Sequence, residues 1–130
     1  MDLHFYRCDV CGKIIAIFSG NGIPTICCGR EMRELIPNRT DAAIEKHVPV
    51  ISAAGDRVTV RIGSAPHPMT GEHGICWVGL RTTGGFAFRE LRPGDCPEAI
   101  FSLSPGEHVE AAYAYCNLHG LWCSEKEAES

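Results

Sequence analysis

The chain has 130 residues, 45% hydrophobic and 22% charged, enough for one ordinary domain or a domain with a small unit attached. Twelve basic against sixteen acidic residues give a net charge of −4, which argues against a nucleic-acid binder. No run approaches the roughly 18–20 apolar residues of a membrane span, so no membrane partner is expected. The first ten residues, MDLHFYRCDV, carry neither a basic n-region nor an apolar h-region, and a cytoplasmic chain with reduced thiols is expected. Against that background, eight cysteines and six histidines stand out. In a reducing compartment, clustered cysteines hold metal more often than they pair.

The cysteines divide into two groups. Cys8, Cys11, Cys27 and Cys28 read C-x2-C-x15-C-C, and Gly12 behind the first pair permits a metal-knuckle turn. Two short apolar runs, Ile14–Phe18 and Ile23–Ile26, flank Ser19-Gly20-Asn21-Gly22 and predict a hairpin between them. A unit of about 36 residues falls below the size at which a hydrophobic core suffices. Four thiolates on one ion supply the missing staple, because metal binding becomes folding free energy. This set alone fits zinc as well as iron. The adjacent pair Cys27-Cys28 cannot form an x2 knuckle, so it must splay and distort the tetrahedron.

Beyond Pro37 the chain changes character. Thr40 is placed to cap a short helix over Asp41–Glu45, and Pro49 must end it near Lys46 or His47. Alternating apolar residues then predict strands over Arg57–Ile62, Ile75–Arg81, Gly85–Leu91, Glu98–Leu103 and His108–Tyr115. Six or seven short strands separated by Gly, Pro and Asp turns suggest an immunoglobulin-like β-sandwich. The acidic tail after Cys123 is expected to fray. The fold is therefore expected to be mainly β, with a metal-bound unit over 1–37 and a body over 38–130.

Histidines gather at the junctions of that body. His47 follows the helix, His67 lies between Pro66 and Pro68, and His73 is six residues further on. Cys116 and His119 form a C-x2-H pair, whereas His4 and His108 lack such neighbours and read as surface residues. Four imidazoles and one thiolate are too many for tetrahedral zinc. They suit iron, with one octahedral position left open.

With these residues the chain resembles desulfoferrodoxin, the two-iron form of superoxide reductase. The likeness rests on Phe5-Tyr6-Arg7-Cys8-Asp9-Val10-Cys11-Gly12, Cys27-Cys28-Gly29, Glu45-Lys46-His47-Val48-Pro49, Pro66-His67-Pro68-Met69, Pro93-Gly94-Asp95 and Cys116-Asn117-Leu118-His119-Gly120. It implies a desulforedoxin-like unit whose Cys8, Cys11, Cys27 and Cys28 hold one iron. It also implies a second, catalytic iron on His47, His67, His73, His119 and axial Cys116, with Glu45 and Lys46 flanking the open position. A rubredoxin-like electron donor and a homodimer are implied as well. Cys76, Cys96 and Cys123 match no ligand position. Two rivals are a zinc-ribbon-type binding module, which leaves the histidines without a role, and a non-catalytic iron electron-transfer protein, which leaves the open position unexplained.

Overall fold

The structure is a computed structural model that describes residues 3–20, 22–38, 44–63 and 67–126, the side chains of Ile44 and Glu45 excepted. The chain divides into two compact units, Met1–Ile36 and Pro37–Ser130. The first contains β1 (His4–Arg7), β2 (Ile14–Ile17), β3 (Ile26–Cys27), β4 (Arg30–Glu31) and β5 (Arg33–Leu35). These form an antiparallel sheet in the order β2-β1-β5 and a separate β3-β4 ribbon.

Asn21 of the turn expected across Ser19–Gly22 lies outside the described residues, and among the described residues the two apolar runs do not pair with each other. β2 pairs with β1, placing Ile14 opposite Arg7, and only Ile26 of the second apolar run lies in a strand, opposite Glu31. Cysteine placement explains the change. The β1–β2 hairpin closes through the knuckle itself: Cys8 N–H donates to the Lys13 carbonyl at 2.9 Å, and Gly12 N–H donates to the Cys8 carbonyl at 2.8 Å. Gly12 has a φ of 81°, which a side chain would resist. The core of this unit is thin, with Phe5, Cys8, Met32 and Leu35 buried.

The second unit opens with a single helical turn, α1 (Ile44–His47). It stops before Pro49 as expected, while the proposed cap Thr40 and residues 41–43 lie outside the described residues. Seven strands follow: β6 (Pro49–Ala54), β7 (Arg57–Ile62), β8 (Ile75–Thr82), β9 (Gly85–Glu90), β10 (Glu98–Ser102), β11 (Val109–Cys116) and β12 (Gly120–Glu125). They form antiparallel sheets in the orders β10-β7-β6 and β12-β11-β8-β9, the three-plus-four arrangement of an immunoglobulin-like sandwich. Val58, Val60 and Ile62 point inward at every second position to meet Val78, Leu80, Ala112 and Ala114. β12 takes in the first two residues of the tail expected to fray, with Ser124 opposite Ala112 and Glu125 opposite Ala111 of β11, while residues 127–130 lie outside the described residues. Among the described residues no helix is long and apolar enough to cross a membrane.

Antiparallel pairing brings selected strand ends together. Cys116 at the end of β11 lies opposite Ile75 at the start of β8 and Gly120 at the start of β12. Pro49 at the start of β6 lies opposite Ile62 at the end of β7. The histidine-bearing connections are attached at these positions.

Candidate metal centres

The first cluster lies at two hairpin tips within the small unit. Cys8 and Cys11 come from the β1–β2 turn, and Cys28 and Gly29 form the two-residue loop of the β3–β4 ribbon. Their φ angles are 53° and 73°, giving a type I′ turn that glycine enters freely and cysteine does not. The left-handed Cys28 answers the problem of adjacent ligands. On an extended strand, neighbouring side chains would point to opposite faces; here the Cys27 and Cys28 sulfurs stand 4.0 Å apart. Cys11 and Cys27 are separated by 3.8 Å, and all four sulfurs lie within 4.8 Å of one another. Four thiolates at about 2.3 Å from a tetrahedral ion would stand roughly 3.8 Å apart, so the spacing fits a bound metal.

Electrostatics supports the same occupant. The Cys11 amide donates to Cys8 Sγ at 3.5 Å and is the main cause that lowers the Cys8 thiol to about 6. Hydrogen bonds with Cys11 and then Cys8 push Cys28 up to about 12, and contact with Cys8 also raises Cys27. One thiolate forms readily while its neighbours hold their protons. Four thiolates can coexist at this separation only around a cation.

The second cluster collects five residues at one end of the sandwich. His47 ends α1, His67 and His73 lie between β7 and β8, Cys116 ends β11, and His119 lies in the short β11–β12 connection. Ring centroids are 4.6 Å apart for His47–His67, 4.8 Å for His67–His73, 4.9 Å for His73–His119 and 4.8 Å for His119–His47. Each neighbouring pair is close to perpendicular, with interplanar angles from 78° to 87°. Across the diagonal, His47 and His73 are 6.2 Å apart and inclined by only 25°. The result is a near-square of imidazoles turned edge to face.

Donor atoms of His47, His67, His73 and Cys116 all lie within 4.8 Å of one another. His119 joins through Nδ1, which lies 3.0 Å from His47 Nε2. His67 Nδ1 donates to the Pro68 carbonyl at 2.6 Å, which leaves the Nε2 lone pair free for a metal. The Nε2 atoms of His67 and His73 are buried and make no hydrogen bond. Burial lowers His67 to about 4 and also lowers His73, so both are held in the neutral, metal-binding form. Orphaned lone pairs of this kind are costly unless an ion receives them. Four imidazole nitrogens and one cysteine sulfur exceed the tetrahedral set of zinc and fit iron.

Exposure gives the cluster an inner and an outer side. Cys116, His47 and His67 are buried, whereas His73 and His119 are half-buried. Lys46 is exposed, and its charge contributes to lowering His73 after burial and His119. Glu45 belongs to the same helical turn, but its side chain is outside the described residues. Cys76, Cys96 and Cys123 join neither cluster, and all eight thiols are free. His4 pairs with Glu34 at 2.7 Å, while His108 is exposed.

Two neighbours of the cluster had no role in the sequence reading. Trp122 stacks on His47, and Asn117 bonds to the segment that carries His73. The only local signal was their place beside the C-x2-H pair.

Comparison with known proteins agrees with this geometry. Residues 39–125 match the family described as Desulfoferrodoxin, and residues 2–35 match its N-terminal domain. A desulfoferrodoxin from Syntrophotalea carbinolica is 45% identical over 123 residues, covering 95% of this chain and 96% of its own length. A superoxide reductase from Pyrococcus abyssi is 36% identical over 65% of this chain and 89% of its own length. The crystal structure of the superoxide reductase from Treponema pallidum superposes with a TM-score of 0.82 at 36% identity, covering 96% of this chain and all of that one. The chain belongs to the desulfoferrodoxin family.

Proposed function

We propose that this chain is a superoxide reductase: one electron and two protons convert each superoxide to hydrogen peroxide. The observation that carries the reading is the near-square of imidazoles with buried Cys116 among its donors. Likeness to superoxide reductases across most of the chain supports it.

His47, His67, His73, His119 and Cys116 would hold the iron, which when bound would supply the electron and attract an anion. With imidazoles and one thiolate as ligands that centre would be net positive, and Lys46 adds an exposed positive charge beside it. Together they focus an anion locally although the whole protein is acidic. Cys116 contributes a buried thiolate that enriches the centre in electron density. Solvent reaches the half-buried His73–His119 side and supplies protons there. By family likeness Glu45, the neighbour of Lys46 in sequence, would supply a carboxylate to this site.

Cys8, Cys11, Cys27 and Cys28 are assigned the second iron, which staples a unit with a thin core. By family likeness we assign a rubredoxin-like electron donor, a homodimer and a cytoplasmic location, with functional boundaries at 1–37 and 38–130. Anaerobically purified protein should contain two irons per chain and be oxidised stoichiometrically by superoxide. A colourless zinc protein would overturn the reading in favour of a binding module. Two irons inert to superoxide would overturn it in favour of simple electron transfer.

A further inference from the structure

Asn117 lies between Cys116 and His119 in sequence but contributes no donor to either cluster. Its carboxamide is engaged with the segment around His73. Oδ1 accepts from Gly74 N–H at 3.0 Å, and Nδ2 donates to the Gly71 carbonyl at 3.1 Å. The Asn117 backbone N–H also donates to the Gly74 carbonyl at 3.1 Å. Only one orientation of the amide satisfies both side-chain bonds, so its oxygen and nitrogen have distinct duties.

The tethered segment is itself a closed turn. Thr70 N–H donates to the His73 carbonyl at 2.9 Å, and His73 N–H returns a bond to Thr70 Oγ1 at 3.0 Å. A side chain at Gly74 would begin 2.8 Å from the Thr70 carbonyl oxygen, so the turn has no slack there. His73 thus rides on a rigid turn, and Asn117 fastens that turn to the strand end bearing Cys116.

We infer that Asn117 is a positioning residue: its carboxamide sets His73 against Cys116 and His119 and so preorganises the five-donor cluster. The inference rests on the reading that this cluster holds iron. A metal site gains affinity when its ligands are held in place beforehand by surrounding hydrogen bonds. Asn117 is exposed, so replacing it removes bonds without opening a core cavity.

The test compares iron-loaded full-length wild type with Asn117→Leu, Asn117→Asp and the core control Val60→Ala. Leucine removes both side-chain bonds, whereas aspartate keeps the acceptor for Gly74 and loses the donor to Gly71. Iron release to a chelator is followed through the visible band of the five-donor centre, with the tetrathiolate absorption as an internal reference. Asn117→Leu should release that iron about 10–100 times faster, and Asn117→Asp should fall between it and wild type. The electron paramagnetic resonance lines of the oxidised centre should broaden in the same order. Unchanged release and line shape would overturn the inference. Equal acceleration at both centres, or in Val60→Ala, would also overturn it by showing a general loss of stability. If Asn117→Leu does not fold, wild-type release in Asn117→Asp is enough to overturn it. No superoxide enters this measurement, so a chain that binds the iron but ignores superoxide sinks the proposed function and leaves this test intact.

Discussion

Trp122 lies flat against His47, with ring centroids 4.8 Å apart and planes inclined by 26°. Both residues are almost wholly buried. The indole therefore backs one corner of the imidazole square and restricts rotation of its ring. Trp122→Ala removes a large side chain and should cost about 3–5 kcal/mol through the cavity it leaves. Trp122→Phe should cost much less. Its ring still stacks, and it deletes a buried indole N–H that has no hydrogen-bond partner, an arrangement that itself costs about 1–3 kcal/mol. Thermal melts of the two variants check this order; equal losses would refute it.

Lys46→Ala should slow the reaction with superoxide by on the order of tenfold at low ionic strength, the lower end of electrostatic steering effects. Lys46 is exposed, so salt should screen its contribution, and the gap between variant and wild type should close as ionic strength rises. Pulse radiolysis over a salt series measures both. Equal rates at every salt concentration would remove Lys46 from anion capture.

Cys116→Ser exchanges a fully buried sulfur for a harder oxygen donor. The thiolate-to-iron charge-transfer band should disappear and superoxide reduction should fall to background. The tetrathiolate absorption should persist, since Cys8, Cys11, Cys27 and Cys28 form a separate set. Retention of the charge-transfer band would take Cys116 out of the centre.

Cys28→Ser should act in the opposite pattern. It removes one of four clustered thiolates from a unit whose core is little more than Phe5, Cys8, Met32 and Leu35. Iron at the first centre should be lost, and amide exchange across β1, β2 and β5 should rise steeply. Iron at the five-donor centre should remain. Metal analysis giving two irons per chain would refute the assignment.

Much of this architecture was legible wherever burial imposed a simple period. Arg57–Ile62 alternates because Val58, Val60 and Ile62 all face the core, and the strand appears with those bounds. β6 gave a weaker signal because its outer half, Ser52–Ala54, is exposed on both faces. The small unit misled for a different reason: Cys28 adopts a left-handed conformation that local propensity disfavours. Ligand geometry explains that choice and redirects the pairing of β3. The five residues that gather in the second cluster could be named from spacing and chemistry. Their square could not, because it depends on the register of β11 with β8 and β12. Trp122 and Asn117 were hidden for the same reason, since each acts on a residue remote in sequence.

Beside the end of β8, Glu107 provides a pH test of the sandwich. The Thr82 hydroxyl donates to Glu107 Oε2, and Ser104 N–H donates to Oε1 at 2.9 Å. The hydroxyl bond first, and the Ser104 amide second, hold the carboxyl below its usual range. A depressed carboxylate stabilises the fold above its unfolded pKa, about 4.3 for glutamate, and that contribution is lost as pH falls through the folded value. Glu107→Gln removes the charge that strengthens both bonds. The variant should therefore melt below wild type at pH 7, with the gap narrowing below pH ~4 as wild type protonates. Comparing the two proteins at each pH cancels the acid sensitivity of the metal centres, which they share. A gap that stayed constant from neutral to acid pH would show that the Glu107 charge does not stabilise this junction.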